Sequence, residues 1–218
     1  MRSNKLFWIV DVQHDFMDRD GKLYVEGAED IKGNLSKVKS LIDKHNINTV
    51  HTMDWHYYDS AELSETPDFI NTFPEHCMAG TRGADIIPEI KPNDPLIINW
   101  DQRLDMNYAD ELIFFSDNKF EFLLRKDMFD FIEGNSNSAI LTELLKERFY
   151  DIYVVGVAGN VCVNFAVKNL LKENFNVKVI TDCIKDLPNI PSCEKEWLDE
   201  GAEIISLEDL EKLLVGSE

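Results

Sequence analysis

The 218-residue sequence has few basic residues and no long hydrophobic run. It contains 22 Lys and Arg against 41 Asp and Glu, so its formal net charge is −19 at pH 7. Because nucleic acids and anionic membrane surfaces repel such a chain, neither is expected as a partner. No apolar run approaches the ~20 residues of a membrane helix, and the apolar stretch near the N-terminus is too short for a signal-peptide core. The sequence therefore predicts a cytosolic protein.

Cysteines are also few, and internal repeats and low-complexity stretches are lacking. The four cysteines are Cys77, Cys162, Cys183 and Cys193, with no CxxC spacing. This number and spacing do not suggest a disulfide framework, so the cysteines are expected to be free thiols in a reducing compartment. No linker divides the chain, which predicts a single domain over residues 1–218.

Apolar runs of strand length alternate with apolar residues at helical spacing. The expected strands cover residues 6–10, 49–53, 96–100, 120–124, 152–157, 177–181 and 204–205. This alternation predicts an α/β fold, a three-layer sandwich with helices on both faces of a mostly parallel sheet. In such folds, sites form beyond the carboxyl ends of the strands. The long irregular segment from residue 57 to 86 is expected to be a functional loop.

Cys162 follows the strand expected at 152–157, in the segment VVGVAGNVCVNFAV. At the start of a helix, unpaired N–H groups and the helix dipole lower the pKa of a thiol and can hold an oxyanion. The spacing fits a small apolar residue in the first turn of a core helix equally well.

Asp11 and Lys126 follow two other expected strands, in VDVQHDF and RKDMFDF. An acid beside Cys162 could accept the thiol proton, and a cation could stabilise the thiolate. Taken singly, each residue is more simply a solvated group at a strand end. Only their joint position beside Cys162 favours a nucleophilic site.

A possible metal-binding pattern lies at the end of the second strand. Asp54 and His56 are two residues apart, so in an extended segment their side chains point the same way, and His76 follows in the long loop. A carboxylate with two imidazoles suits Zn, Fe or Mn. Such a short pattern is weak evidence, and histidines with a structural role are the usual alternative. Candidate acids in the loop are Asp59, Glu62 and Glu65.

With these residues in place, the sequence resembles the isochorismatase-like cysteine hydrolases, and within them the nicotinamidase/pyrazinamidase group. The matching segments are VDVQHDF at 10–16, HTMDWH at 51–56, FPEHCMAGTRGAD at 73–85, RKDMFDF at 125–131 and VVGVAGNVCVNFAV at 154–167. The resemblance implies an isochorismatase-like fold and hydrolysis of a small neutral amide. The implied substrate is nicotinamide, converted to nicotinate and ammonia through a thioester acyl-enzyme.

The resemblance also implies roles for the residues of the nucleophilic site. Asp11, Lys126 and Cys162 correspond to an Asp–Lys–Cys triad. The backbone N–H groups of Ala158 and Cys162 would form the oxyanion hole, beside a cis peptide between Val157 and Ala158.

A divalent metal and a ring pocket are implied as well. Residues matching Asp54, His56 and His76 bind a metal in the nicotinamidases, and zinc is expected here, with Fe or Mn as alternatives. The fourth ligand in this family is a His or a Glu; Glu65 is our choice and Glu62 the next. Phe16 and Phe73 match positions that line the pocket for the substrate ring.

Two departures from the family pattern leave other functions open. Gly159 and Asn160 stand where the family commonly has an acid, as in ATDVC, and residues 99–119 match no pattern of the family. One alternative is a metal-independent hydrolase of a carbamoyl, ureido or other small amide substrate. A second is a catalytically silent binding module. A homo-oligomer is also possible, with the aromatic residues Phe114, Phe115, Phe129 and Phe131 as interface candidates.

Overall fold

A computed structural model describes residues 4–115 and 119–215. Its strands are β1 (Lys5–Val10), β2 (Asn48–Asp54), β3 (Leu96–Ile98), β4 (Glu121–Lys126), β5 (Asp151–Val157), β6 (Asn176–Lys185) and β7 (Glu203–Ile205). They form one sheet in the order β3-β4-β2-β1-β5-β6-β7, and every pairing is parallel. The predicted sheet is confirmed, although β3 ends at Ile98 rather than at Trp100.

Helices connect most of the strands. The α-helices are α1 (His14–Met17), α2 (Lys32–Lys44), α3 (Met106–Asp110), α4 (Phe131–Gly134), α5 (Ser138–Lys146), α6 (Asn164–Lys172), α7 (Glu194–Asp199) and α8 (Leu207–Val215). Short 3-10 turns cover Ala28–Ile31 and Arg82–Ala84, and π-helical turns cover Glu111–Phe115 and Gly159–Val163. Within the described ranges, no helix is both long and apolar enough to cross a membrane.

Both faces of the sheet are covered by helices. Helix α2 buries Leu35, Val38 and Ile42, which lie at helical spacing, and packs with α8 on one face. Helices α5, α6 and α7 cover the other face, where Leu141 and Trp197 are fully buried. Amphipathic helices bury their apolar side in this way because the sheet offers the matching apolar surface. The predicted three-layer α/β sandwich is therefore confirmed.

The register of the central strands brings their carboxyl ends together. Val10 at the end of β1 pairs with Thr52 of β2 and with Gly156 of β5, and Asp54 of β2 pairs with Lys126 of β4. Gly156 has φ +133°, and a Cβ atom there would lie 2.0 Å from the carbonyl oxygen of Val10. Only glycine tolerates this approach. The groups that follow β1, β2, β4 and β5 consequently meet at one edge of the sheet.

The aromatic residues considered as interface candidates differ in their surroundings. Phe131 is buried, with its ring centroid 4.9 Å from that of Trp8, so its place in an exposed interface is contradicted. Phe129 is partly buried against Phe165, at 5.2 Å. Phe114 is partly buried against the core, and the Phe115 side chain lies outside the described part of the chain. Homo-oligomerisation stays a prediction.

In the segment 99–119, which matched no family pattern, residues 116–118 lie outside the described part of the chain, and the rest contains α3 and a π-helical turn. It is fastened to the start of α5 by Asn137, whose Nδ2 donates to the carbonyl oxygens of Asn99 and Gln102, both at 2.8 Å. Trp100 lies 5.6 Å from Tyr57, ring centroid to ring centroid. These two rings and Asp101 help to line a shallow outer cavity distinct from the one described below.

Candidate active site

Asp11, Lys126 and Cys162 meet at the carboxyl edge of the sheet, and we call them the nucleophile group. Asp11 directly follows β1, Lys126 ends β4, and Cys162 lies in the π-helical turn after β5. The Lys126 Nζ atom is 2.8 Å from Asp11 Oδ2 and 3.9 Å from Cys162 Sγ. All three side chains are buried. The structure thus brings together the three residues that the sequence singled out.

The Asp11 carboxylate is held by its neighbours on both sides. Its backbone has φ +51°, its N–H donates to the carbonyl oxygen of Thr52 at 3.2 Å, and its Oδ1 accepts from Thr52 Oγ1 at 2.6 Å. Burial raises the pKa of Asp11, and the positive charge of Lys126 opposes that rise. A carboxyl group beside a thiol can take the thiol proton and later return it.

Cys162 differs from the sequence-based expectation in its acidity. Burial raises the pKa of the Cys162 thiol well above its ordinary value; Lys126 opposes this, while Asp11 and Asp54 add to it. The expected lowering by a helix N-terminus is therefore contradicted: Cys162 is only 8% exposed, and loss of hydration disfavours the thiolate. The resting thiol keeps its proton, so a base must be in reach. Single atoms of Asp11, Asp54 and Cys162 all lie within 4.8 Å of one another.

The turn that carries Cys162 begins at a cis peptide between Val157 and Ala158, as the resemblance implies. The carbonyl oxygen of Ala158 accepts from the N–H groups of Val161 and Val163, both at 3.1 Å. These bonds wind the chain tightly around the position of Cys162. The oxyanion hole of Ala158 and Cys162 N–H groups stays a prediction.

A second set of buried side chains lies beside the nucleophile group. Asp54, His56, Glu62 and His76 each bring one oxygen or nitrogen atom within 4.8 Å of the others, and we call them the histidine cluster. His56 Nε2 is 3.8 Å from Asp54 Oδ2 and 3.6 Å from Glu62 Oε2. His76 Nε2 is 3.6 Å from Asp54 Oδ2. These separations are too long for hydrogen bonds but suit atoms that share one cation.

The outward nitrogens of both histidines fix which nitrogen faces the cluster. His56 Nδ1 is 2.9 Å from Ser60 Oγ, whose hydroxyl donates to the carbonyl oxygen of Asp127 at 3.1 Å. Nδ1 of His56 must therefore be the donor. His76 Nδ1 donates to the carbonyl oxygen of Pro74 at 2.7 Å. Both Nε2 atoms then turn lone pairs inward, as metal-binding imidazoles do.

The residues of the histidine cluster fit a divalent metal. His56 Nε2 is buried and has no hydrogen-bond partner, although a buried polar atom is normally satisfied. Two imidazole nitrogens and two carboxylates form a donor set typical of Zn, and also of Fe or Mn. A cation would satisfy the unpaired nitrogen and neutralise the carboxylates together.

Glu62, not Glu65, provides the loop acid of this cluster. Glu62 is buried, its carboxylate accepts from the N–H of Phe129, and burial together with the charge of Asp54 raises its pKa to about 8. The Glu65 side chain is exposed, so the choice of Glu65 is contradicted. In an irregular loop, residue spacing does not reveal which side chain turns inward. Here the backbone hydrogen bond that Phe73 N donates to Glu62 O, at 2.8 Å, fixes the conformation of the loop at Glu62.

Asp54 joins the two sets of residues. One of its carboxylate oxygens contacts Lys126 Nζ and the other faces both histidines. Burial alone would raise the pKa of Asp54, but Lys126 together with the imidazoles of His56 and His76 outweighs burial and holds that pKa well below its usual range. Gln13 fixes its backbone, donating to Asp54 O at 2.7 Å and accepting from Asp54 N at 2.8 Å.

Gln13 and Thr52 were missed by the sequence analysis. Both are polar residues buried in or beside apolar strands, with Thr52 within β2 and Gln13 two residues after Asp11. A buried polar group needs partners, so its presence in an apolar stretch is a usable signal. Such a residue indicates that a site is present, but the sequence does not show which atoms are its hydrogen-bond partners.

A cavity of about 350 Å³, counting the space at its open mouth, lies over Cys162 and the cluster. Phe16 and Phe73 line it, as predicted, and so do Asp54, Glu62, His76, Leu23, Val25, Phe129, Ala158, Val161 and Leu187. Most of this lining is apolar, which suits a small, flat, uncharged molecule. Several of these residues, including Leu23 and Leu187, lie outside the recognisable motifs, so the sequence held no signal for them.

Comparison with known proteins is consistent with this arrangement. The nicotinamidase/pyrazinamidase of Mycobacterium tuberculosis is 28% identical over 177 residues, which is 80% of this chain and 82% of that protein. The nicotinamidase of Acinetobacter baylyi is 26% identical over 215 residues, with 89% of this chain and 87% of that protein covered.

Among solved structures, the pyrazinamidase of Pyrococcus horikoshii in complex with zinc superposes with a TM-score of 0.66. Its sequence is 20% identical, and the superposition covers 94% of this chain and 99% of that chain, so it shows a shared fold. The Isochorismatase domain profile matches residues 5–119, more than half of the chain. The chain therefore belongs to the isochorismatase family.

Proposed function

We propose that this protein is a metal-assisted cysteine amidohydrolase that converts nicotinamide to nicotinate and ammonia. Its family and its curated nicotinamidase relatives indicate a hydrolase that acts on amide bonds. The observation that carries the proposal is the contact of one buried ammonium group with a thiol and a carboxylate. Lys126 Nζ lies 2.8 Å from Asp11 and 3.9 Å from Cys162, and Cys162 lines an apolar cavity.

In the acylation step, Asp11 takes the proton from the Cys162 thiol and the sulfur attacks the amide carbon. The C–S bond forms, and the C–N bond then breaks as Asp11 returns the proton to the departing nitrogen, which leaves as ammonia. In the deacylation step, Asp11 takes a proton from water, and the hydroxide adds to the thioester carbon. The C–S bond breaks, the carboxylic acid is released, and the proton returns to sulfur.

Lys126 supplies a permanent positive charge during both steps. Burial alone would lower the pKa of Lys126, but Asp11 and Asp54 outweigh burial and hold it well above its usual range. The ammonium group therefore does not exchange its proton during turnover. It orients Asp11 and stabilises the thiolate whenever that species forms.

Asp54, His56, Glu62 and His76 would hold the divalent metal, and zinc is the metal we propose. The zinc complex of the Pyrococcus horikoshii pyrazinamidase supports this choice. When bound, the metal would hold and polarise the pyridine nitrogen of the substrate. The chain itself supplies the nucleophile and the proton transfers.

The shape and polarity of the cavity support an uncharged aromatic amide as substrate. Phe16 and Phe73 flank His76, with ring centroids 5.5 Å and 6.3 Å from the imidazole. Aromatic walls bind a flat ring by burial of apolar surface and by ring contacts. The cavity opens on Cys162, so an amide carbon attached to that ring comes within reach of the sulfur.

A panel of amides, assayed for ammonia release alongside metal analysis of the same preparation, tests the proposal. We expect nicotinamide to have the highest kcat/KM, with stoichiometric bound metal and loss of activity on chelation. Preference for a carbamoyl or ureido substrate, without bound metal and without sensitivity to chelators, would establish the metal-independent alternative. Absence of turnover on every amide, with a thiol of ordinary reactivity, would establish a binding module.

A further inference from the structure

The segment after β6, residues 186–190, packs against the turn that carries Cys162. Leu187 lines the active-site cavity together with Ala158, Val161 and Cys162 of that turn. The Leu187 side chain is partly buried and packs against the core. One wall of the cavity therefore comes from a segment that belongs neither to the nucleophile group nor to the histidine cluster.

Asn160 ties this segment to the nucleophile turn through every polar atom of its side-chain amide. Its Nδ2 donates to the carbonyl oxygens of Leu187 and Ile190, both at 2.9 Å, and its Oδ1 accepts from Leu187 N at 2.9 Å. The Asn160 residue is only 6% exposed. These three buried hydrogen bonds fix the backbone of Leu187 relative to Cys162, which lies two residues after Asn160.

Gly159 leaves room for the side chain of Asp186, in the same segment, and for that of Ile184 in β6. A Cβ atom at Gly159 would lie 2.0 Å from Asp186 Oδ1 and 2.7 Å from Ile184 Cγ2, far inside van der Waals contact. Even alanine would have to displace the side chains of Asp186 and Ile184. Gly159 and Asn160, which together depart from the family's ATDVC pattern, therefore both contact residues at or just after the end of β6.

We propose that Asn160 is a positioning residue that holds Leu187 as the wall limiting which ring-substituted amides enter the cavity. This inference rests on the proposed amidohydrolase function and adds the feature that sets its selectivity. A carboxylate at position 160 could accept from Leu187 N but could not donate to the two carbonyl oxygens. Those oxygens would lose their partners, and Leu187 would no longer be held in place.

The first experiment compares kcat/KM for nicotinamide with kcat/KM for a ring-methylated nicotinamide. Leu187→Ala should raise the ratio in favour of the methylated amide by roughly tenfold or more, since a pocket discriminates one methylene by ~10–200-fold. An unchanged ratio in this variant would overturn the proposal.

Asn160→Asp should shift the same ratio in the same direction, and the double variant should shift it no further than Leu187→Ala alone. This non-additivity is expected because Asn160 acts on selectivity only through Leu187. Additive shifts, or an overall loss of activity without a change of ratio, would show a merely structural role and refute the positioning role. Asn164→Asp is the matched control, because Asn164 Oδ1 only accepts from Trp197 Nε1, at 2.9 Å, and aspartate keeps that acceptor.

A second readout does not depend on amide hydrolysis. Alkylation of Cys162, followed by peptide mass spectrometry, compares iodoacetamide with its bulkier N-phenyl derivative. Leu187→Ala should accelerate the bulky reagent relative to iodoacetamide by several-fold, and Asn164→Asp should not. If the wild-type chain hydrolyses no amide but this ratio still shifts, the proposed function fails and the Leu187 wall stands. If the amide is hydrolysed and neither ratio shifts, only the Leu187 inference fails.

Discussion

The nucleophile group and the histidine cluster are adjacent and equally buried, yet they differ in how their charges are balanced. In the nucleophile group, Lys126 neutralises Asp11 and also contacts Asp54, so a cation of the chain itself occupies the centre. In the histidine cluster, Asp54 and Glu62 face two imidazoles, and His56 Nε2 has no hydrogen-bond partner.

The nucleophile group therefore has its counter-charge within the protein, whereas the histidine cluster is suited to bind an added cation. Burial of unpaired charge costs several kcal/mol, so a stable fold normally provides the counter-charge. The nucleophile group provides it as Lys126. The four residues of the histidine cluster include no Lys or Arg, and burial together with the charge of Asp54 raises the pKa of Glu62 to about 8. Four variants, each with a matched control, test this contrast.

The largest effect is expected from Cys162→Ala. Removal of the nucleophile should lower kcat for ammonia release by at least ~10³-fold, the scale on which loss of an essential nucleophile acts. The metal content should not change, because Cys162 is not part of the histidine cluster. Cys193→Ala, which removes a partly buried thiol elsewhere, is the control and should keep full activity. Retained turnover in Cys162→Ala would exclude a covalent mechanism.

Lys126→Met should produce the next largest effect, a loss of folding stability. Without the ammonium group, Asp11 and Asp54 lose their counter-charge, which costs ~3–5 kcal/mol of unfolding free energy in comparable buried pairs. Urea unfolding of the metal-free protein measures it. Lys212→Met is the control: Lys212 pairs at 2.6 Å with Glu208 and both side chains are exposed, so its loss should leave the unfolding free energy almost unchanged. Equal losses in the two variants would show that Lys126 does not balance the nucleophile group.

Glu62→Gln is expected to weaken metal binding while leaving the fold intact. Replacing a metal-binding carboxylate should raise the metal Kd by at least the ~10–100-fold seen for changes around a metal site. Competition with a chromophoric chelator measures the Kd. Glu65→Gln removes an exposed carboxylate three residues further on and should leave the Kd unchanged. A larger rise of the metal Kd in Glu65→Gln than in Glu62→Gln would show that Glu65 is the fourth ligand.

The smallest effect is expected from Thr52→Val, which removes the hydroxyl that donates to Asp11 Oδ1. Loss of a donor destabilises the charged carboxylate, so the pKa of Asp11 should rise further. The acid limb of the kcat/KM profile should then move to higher pH by about one unit. Thr49→Val is the control, because Thr49 lies on the same strand and its buried hydroxyl has no hydrogen-bond partner. A shift of equal size in both variants would contradict a specific role for the Thr52 bond.

The features that follow a regular period were predictable from the sequence. Strand-length apolar runs placed the ends of β1, β2 and β4 to within two residues, and therefore predicted that Asp11, Asp54 and Lys126 share one edge of the sheet. Resemblance to a family added the roles expected of these residues and of Cys162. Apolar runs and family motifs are informative only for residues in or next to strands and motifs, where the local sequence determines which way a side chain points.

Irregular segments and electrostatics were not predictable in the same way. The loop between β2 and the 3-10 turn at Arg82–Ala84 has no period, so whether Glu62 or Glu65 turns inward depends on tertiary hydrogen bonds. The pKa of Cys162 was misjudged because a helix start is visible in sequence whereas the depth of burial is not. Leu187 comes to the cavity through contacts with Asn160, 27 residues away, and spacing cannot show such contacts.

The position of Asp54 between the two sets of residues couples metal binding to the strength of its ion pair with Lys126. Its carboxylate is shared between Lys126 and the two histidines, so an ion in the histidine cluster and the ammonium of Lys126 compete for one negative charge. The two effects are linked: if binding of the ion weakens the Asp54–Lys126 pair by a given free energy, the pair weakens binding of the ion by the same free energy. Metal loading would thus loosen Lys126 from Asp54 and leave its charge more available to Asp11 and Cys162, so the metal could tune the nucleophile without touching it.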